Sequence, residues 1–281
     1  MARPHGSFVA AVLFAAVACS GEPDGSAPRD RQQPVDSGVS DGGEGKPDGA
    51  SSATGVGVII VTTPAGAETS AFAVFMNPGP SGGALPQADG CTVLRDGEGG
   101  GVYGNTGAGP IVVAAGSRSA ELEDQLDADG KSTGYPMQPL SGGTSPLALD
   151  VPIRVGAGGA IVPAFELTVM PADIPEFTTS PAGFVVVGQP FEVSWAPKAA
   201  DHVWVQLERR GEGGVTVNCH VEATKGKVVL SSDRIAALTT DPSTPLRLTV
   251  RGQRRKDARI GDFAVTLVHY GDAVPMSLPV L

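Results

Sequence analysis

The sequence predicts an all-β protein: two tandem β-sandwich domains of immunoglobulin-like class, spanning 55–176 and 177–281, behind a signal peptide (1–18) and a linker (19–54). Three observations lead there. Short runs of Val, Ile, Thr and Phe alternate with polar residues, the period of a half-buried strand. Gly 39 and Pro 24 of 281 residues supply frequent turn signals between those runs. Long stretches of Leu, Glu and Lys at helical spacing are missing, so helices are not the main element.

Arg3 and His5 precede the apolar run Phe8 to Ala18. Its 11 residues fall short of the roughly 20 that a membrane-spanning helix needs. A basic start, a short apolar centre and small residues at the end describe a secretory signal peptide, and no second such run follows. Ala16-Val17-Ala18-Cys19 resembles the bacterial lipobox, with Ala where Leu is commonest at the first position. The resemblance implies a diacylglyceryl group on Cys19, cleavage before it and acylation of the new amino group. Ser20 stands where an Asp would resemble an inner-membrane retention signal. Its absence implies the outer membrane as destination in a Gram-negative host.

Residues 20–54 contain two Val and no other branched or aromatic apolar residue. Such a composition cannot offset the entropy of ordering, which predicts a disordered leash. Its Asp-Gly repeats lack the alternating carboxylates and distal Glu of a calcium loop.

In the first domain the strand-like runs are 56–64, 70–78, 91–94, 110–116, 147–155 and 160–170. Leu149, Val151, Ile153 and Val155 share one face of their run, and Pro152 predicts an edge strand. Gly156-Ala157-Gly158-Gly159 provides a hairpin turn to the next run. Pro171, Pro175 and Pro181 mark a domain boundary.

In the second domain, 189–197 turns Phe191, Val193 and Trp195 inward. The runs 201–210 and 215–221 form a hairpin in which Val205 opposes Cys219 and Leu207 opposes Val217. The runs 246–252 and 263–271 form another, leaving 253–259 as its loop. A short helix at 231–238 starts at Ser231 or Ser232. The segments GAIVPAFELTVMPADIPEFTTSP, EVSWAP, VTVNCHV and LSSDRIAAL resemble a group of bacterial surface lipoproteins of the myxobacterial type. That resemblance implies the fold and the location, and no activity.

Charge narrows the partners. The net charge is −10, divided as +1 over 1–19 (Arg3), −4 over 20–54, −9 over 55–176 and +2 over 177–281. Nucleic acid needs clustered Lys and Arg, so it is not an expected partner. The expected partners are the membrane, through lipid on Cys19, and an envelope protein or polysaccharide.

Few residues carry candidate chemistry. His202, Trp204 and His220 fall on adjacent strands on the outward face, with Trp204 opposite His220, as a binding face. Glu222 alone is near as a third ligand, and tetrahedral zinc needs three or four, so no metal is expected. No cofactor is expected either. Arg254, Arg255, Lys256 and Arg259 form a basic loop suited to an anionic glycan, lipid or the acidic first domain. Asp124, Asp127 and Asp129 near Gly130 read as a turn. Cys91 and Cys219 are assigned to separate cores and so are expected to stay as buried thiols. No Gly-x-Ser-x-Gly, His-Glu-x-x-His or phosphate loop occurs, so the expected role is structural or binding rather than catalytic. The alternative is a carbohydrate-binding module, for which Tyr103, Tyr135 and Trp204 are the available aromatics; a hydrolase ranks below both.

Overall fold

The structure, a computed structural model, describes residues 55–77, 90–95, 104–142, 147–196, 198–209, 214–239 and 242–281. The expected signal peptide, Cys19 and linker lie outside the described residues. Among the described residues no helix is long and apolar enough to cross a membrane.

The fold is all-β. In chain order the strands are β1 (Gly55–Pro64), β2 (Ser70–Asn77), β3 (Gly90–Arg95), β4 (Gly104–Asn105), β5 (Ile111–Ala115), β6 (Arg118–Leu122), β7 (Gln125–Leu126), β8 (Ser132–Pro139) and β9 (Ile153–Ala157). There follow β10 (Phe165–Val169), β11 (Phe177–Ser180), β12 (Phe191–Trp195), β13 (His202–Arg209), β14 (Val215–Glu222) and β15 (Lys227–Leu230). After the helix α1 (Ser232–Leu238) come β16 (Leu246–Ile260), β17 (Phe263–Asp272) and β18 (Met276–Leu278).

Eleven strands form one sheet in the order β3-β14-β13-β16-β17-β1-β2-β8-β7, with β18 beside β16 and β4 beside β2. A four-stranded sheet, β10-β9-β5-β6, and a three-stranded sheet, β11-β12-β15, complete the layers. The large sheet draws on both sides of residue 176. β1 pairs in parallel with β17, Gly55 opposite Phe263 through Pro64 opposite Asp272. β3 pairs with β14. Strands therefore do not divide between 55–176 and 177–281 as the run of prolines led us to expect. The physical reason is in β1: Ile59 and Val61 face one way and Val58 and Ile60 the other, all buried. A strand apolar on both faces needs neighbours on both edges and cover on both faces.

Two main cores result. In the first, Ile59, Val61, Phe75, Val265 and Leu267 of the large sheet pack on Ile111, Val113, Ile153, Val155 and Leu167 of the four-stranded sheet. In the second, Val205, Leu207, Val217, Leu248 and Val250 pack on Phe191, Val193 and Leu230, with Ile235 and Leu238 of α1. β16 reaches both: Leu246, Leu248 and Val250 enter the second core, and Ala258 and Ile260 pack against the first. These residues have one parity along an unbroken register, so both cores lie on the same face of the large sheet.

Between the cores the chain crosses that face. Gly252 on β16 stands opposite Gly271 on β17. A Cβ on Gly252 would sit 2.2 Å from the carbonyl oxygen of Asp173, and one on Gly271 2.7 Å from the same atom. The backbone N–H of Asp173 donates to the carbonyl of Ala199 at 2.9 Å. Lys198 bridges Asp173 at 3.8 Å and Glu176 at 3.0 Å. The prolines thus stiffen a connector laid across a sheet, not a hinge between separate bodies.

Several expected elements shift. β9 begins after Pro152 and is central in its sheet, between β10 and β5, so the proline caps the strand rather than marking an edge. Leu149 is exposed and lies before the strand. Ala157 is still paired, with Phe165, so the hairpin turn is longer than the four residues read from sequence. The β13–β14 register is the expected one. Ser231 takes the N-cap position of α1, without a side-chain capping bond.

Gly252→Ala is expected to destabilise the fold by about 1–3 kcal/mol, the usual cost of overpacking. Gly156→Ala, whose added Cβ would meet nothing nearer than 4.0 Å, is expected to leave stability unchanged or slightly raised. Urea unfolding of both variants beside the parent checks the contrast.

Candidate functional site

The large sheet has a second face, away from both cores, and His202, Trp204 and His220 share it. Trp204 opposes His220 across β13 and β14 as expected, and His202 opposes Glu222. The two imidazoles stack, centroids 4.4 Å apart and planes 13° off parallel. The expectation of a solvent-facing aromatic is corrected. Trp204 is buried, in a cluster with Val58, Ile60, Val74, Met76, Val268 and Tyr270. Its ring meets Tyr270 edge-on at 5.8 Å and His220 at 6.4 Å, and its Nε1–H donates to Asn218 Oδ1 at 3.3 Å. Reading β13 as a one-sided strand missed that β1, β2 and β17 bring apolar residues to this face too.

Polar groups that the sequence reading did not single out surround the tryptophan. Arg251 lies opposite both Trp204 on β13 and Asp272 on β17. Its Nε is 3.4 Å from Asp272 Oδ1, and its guanidinium carbon is 5.7 Å from the centre of the Tyr270 ring. Burial pushes the Asp272 carboxyl above its ordinary range, and Arg251 offsets part of that shift. Burial likewise raises the Tyr270 phenol. Gln253 links β14 to β17: its Oε1 meets His220 Nε2, and its Nε2–H donates to the Tyr270 hydroxyl at 3.4 Å. The signal for this network was the alternation of Arg251, Gln253 and Arg255 along β16, which a loop assignment hid.

The basic segment is corrected outright. Residues 253–259 are strand, and the hairpin closes at the two residues between Ile260 and Phe263. Alternation sends Arg254 and Lys256 to the face carrying the cores and Arg255 and Arg259 to the other, so the four do not form one patch. Two are neutralised: Arg254 lies 3.9 Å from Asp201, and Arg255 3.2 Å from Asp257. Arg259 Nε donates to the Gly261 carbonyl at 3.2 Å.

His269, without an assigned partner in the sequence, sits at the connector. Its Nδ1 accepts the backbone N–H of Ala172 at 2.8 Å, which places the proton on Nε2, the atom 2.9 Å from Thr63 Oγ1. Thr63 in turn lies 3.1 Å from Thr69 Oγ1. Desolvation, with the Arg254 charge adding to it, lowers the His269 pKa from the ordinary 6.5 to about 3. The imidazole is therefore neutral and bonded through both nitrogens.

Cys91 and Cys219 form a disulfide, against the expectation of two thiols. They are directly opposed on β3 and β14, with Cα atoms 3.9 Å apart. The expectation failed because it placed residue 91 in the first core, whereas β3 completes the sheet beside the second. In the Asp124–Asp129 segment Gln125–Leu126 form β7, and the expected turn follows from Asp127 to Gly130, where Asp127 Oδ1 accepts the backbone N–H groups of Asp129 and Lys131, both at 2.9 Å. Tyr135 is buried, its hydroxyl accepting from Ala108 N–H and donating to the Gly109 carbonyl, each at 2.8 Å. Like Trp204, it does not form an exposed stacking platform; Tyr103 lies outside the described residues. Among the described residues, no group of three His, Cys, Asp or Glu side chains is placed to hold a metal ion.

No family model and no curated protein matches the chain.

The depressed His269 pKa fixes a pH dependence. Below 6.5 the unfolded chain takes up a proton that the native ring refuses until about pH 3, so this stabilisation is complete above pH 6.5 and falls away down to pH 3. Asp272, whose pKa is raised, acts in the opposite sense. Unfolding free energies between pH 7 and pH 4 are expected to decline in the parent. The decline is expected to be shallower in His269→Gln, which is less stable at pH 7 but has no ring to protonate.

Proposed function

We propose that the chain is an exported, lipid-anchored lipoprotein of the outer membrane whose all-β head serves a structural or binding role toward an envelope protein or polysaccharide, without catalysis. The observation that carries this reading is the run Ala16-Val17-Ala18-Cys19 behind an 11-residue apolar stretch. The Cys91–Cys219 bridge supports it in two ways. Structural disulfides belong to oxidising compartments. The bridge also uses two of the three cysteines, leaving Cys19 as the one outside it.

The energetics favour a stable anchor. A buried methylene contributes about 0.8 kcal/mol and one acyl chain is marginal, so two or three chains on one residue hold the protein without further membrane contact. A net charge of −10 opposes adhesion to nucleic acid. The head supports a binding or structural role through rigidity, since its large sheet is layered on one face and buries Trp204 and Tyr270 on the other.

Cys19→Ser is expected to move the protein from the detergent phase to the aqueous phase on Triton X-114 partitioning and to abolish incorporation of an alkyne-palmitate label. Unchanged partitioning and labelling would overturn the reading.

A further inference from the structure

Strand β16 carries a stripe of arginines on the second face of the large sheet. Leu246, Leu248 and Val250 enter the second core, so the alternate residues Arg247, Arg251 and Arg255 share the opposite face. They recur every four residues, about 13 Å apart along the strand. The stripe differs from the segment 253–259 read in the sequence. Arg254 and Lys256 point the other way, and Arg247 and Arg251 precede that segment.

Each guanidinium is positioned by one carboxylate. Arg247 Nη1 is 3.7 Å from Glu208 Oε1, Arg251 Nε 3.4 Å from Asp272 Oδ1 and Arg255 Nε 3.2 Å from Asp257 Oδ2. Asp257 is itself held by the Thr266 hydroxyl, which donates to its Oδ1 at 2.7 Å. A guanidinium has five N–H donors, and a single such contact leaves most of them over. Arg251 is the clearest case. Its Nε and Asp272 Oδ1 are buried without a hydrogen bond, and its terminal nitrogens make none among the described residues. Its guanidinium lies over the Tyr270 ring, which restrains the fork from below. The side chains of Arg247, Arg251 and Arg255 are 38%, 32% and 31% exposed, so solvent reaches all three.

An arginine fork pairs with a planar carboxylate through two parallel N–H···O bonds. Charge on the same face decides what carries that carboxylate. Along β13, β14, β16 and β17, four acids (Glu208, Glu222, Asp257, Asp272) balance four bases (Arg247, Arg251, Arg255, Arg259). A face without net positive charge does not hold a flat anionic membrane, and the chain's net −10 repels polyanions in bulk. A flexible chain escapes both limits, because it brings one carboxylate to each fork and passes the acids between them. The spacing along β16 suits repeated carboxylates rather than one small anion. Gln206, half-exposed on β13 beside Thr249, offers an amide to neighbouring hydroxyls.

We propose that Arg247, Arg251 and Arg255 form a site along β16 for an acidic polysaccharide, a uronate chain whose carboxylates pair with successive guanidinium forks. The inference rests on the binding role proposed above and names the partner, and it is independent of the lipid on Cys19. Pre-positioning by Asp272 and Tyr270 lowers the side-chain entropy lost when the Arg251 fork is filled.

The test uses the full chain carrying Cys19→Ser, so that its outcome is separate from that of lipid attachment. Isothermal titration with polygalacturonate is expected to show saturable binding that weakens as salt is raised, and titration with dextran, a neutral glycan, to show none. Arg251→Lys keeps the charge but loses the fork, and is expected to weaken polygalacturonate binding by about tenfold. Arg255→Lys, whose side chain lies outside the Trp204 cluster, gives the same reading should Arg251→Lys prove unstable to urea. Lys256→Gln removes an exposed charge from the face that carries the cores, and is expected to leave binding unchanged. The proposal is overturned by absence of saturable polygalacturonate binding or by equal binding of dextran. It is overturned equally by unchanged affinity in the folded Arg→Lys variants, by an equal loss in Lys256→Gln, or by tighter binding to phosphatidylglycerol vesicles than to polygalacturonate.

Discussion

The carbonyl of Asp173 crosses the large sheet directly above Gly252 and Gly271, so close that neither position has room for a side chain. Around that crossing the rest of the molecule is arranged. On one side the four-stranded sheet covers β17, β1 and β2; on the other the three-stranded sheet and α1 cover β13 and β14. His269 fixes the connector from below by accepting the Ala172 N–H, and Ala199 fixes it from above by accepting that of Asp173. The Ala172 bond is buried, so losing the imidazole strands a buried donor at a cost of about 1–3 kcal/mol.

Continuity through β16 makes the two cores one mechanical unit. Its 15 residues pair with β13 along one stretch and β17 along another. The parallel β1–β17 ladder and the β3–β14 ladder each join chain segments about 200 and 125 residues apart, contacts that form slowly because loop closure precedes them. The disulfide spans 128 residues. In the chain-entropy account, a loop of that length restricts the unfolded state by about 5 kcal/mol. The shared sheet and the bridge thus tie the two cores to each other.

The sequence made some of this legible and hid the rest for physical reasons. Alternation placed β1, β2, β12, β13, β14 and β17 within a residue or two, and gave the Val205–Cys219 and Leu207–Val217 register, because side-chain parity is a local property. β6 and β8 passed unseen, since RSAEL has only the small Ala120 and Leu122 as apolar residues and STGYPMQP carries Gly134 and two prolines. Residues 253–259 looked like a loop because charge was weighed above alternation; ion pairs with Asp201 and Asp257 make those arginines compatible with a strand. The site fared worse. The His202–Trp204–His220 juxtaposition was readable from one hairpin, whereas Arg251, Gln253, Tyr270 and Asp272 arrive from strands whose order is a long-range property. The same limit misplaced Cys91: nothing near residue 91 says that its strand will cross to β14.

The central claim is that residues 55–281 fold around one shared sheet rather than as two bodies joined at residue 176. The most direct measurement is the 15N–1H spectrum and urea unfolding of residues 177–281 expressed alone. Without β1 beside β17 and β3 beside β14, this segment is predicted to give poorly dispersed resonances and no cooperative transition. A well-dispersed spectrum matching that of the intact chain, with a cooperative unfolding transition, would contradict the account.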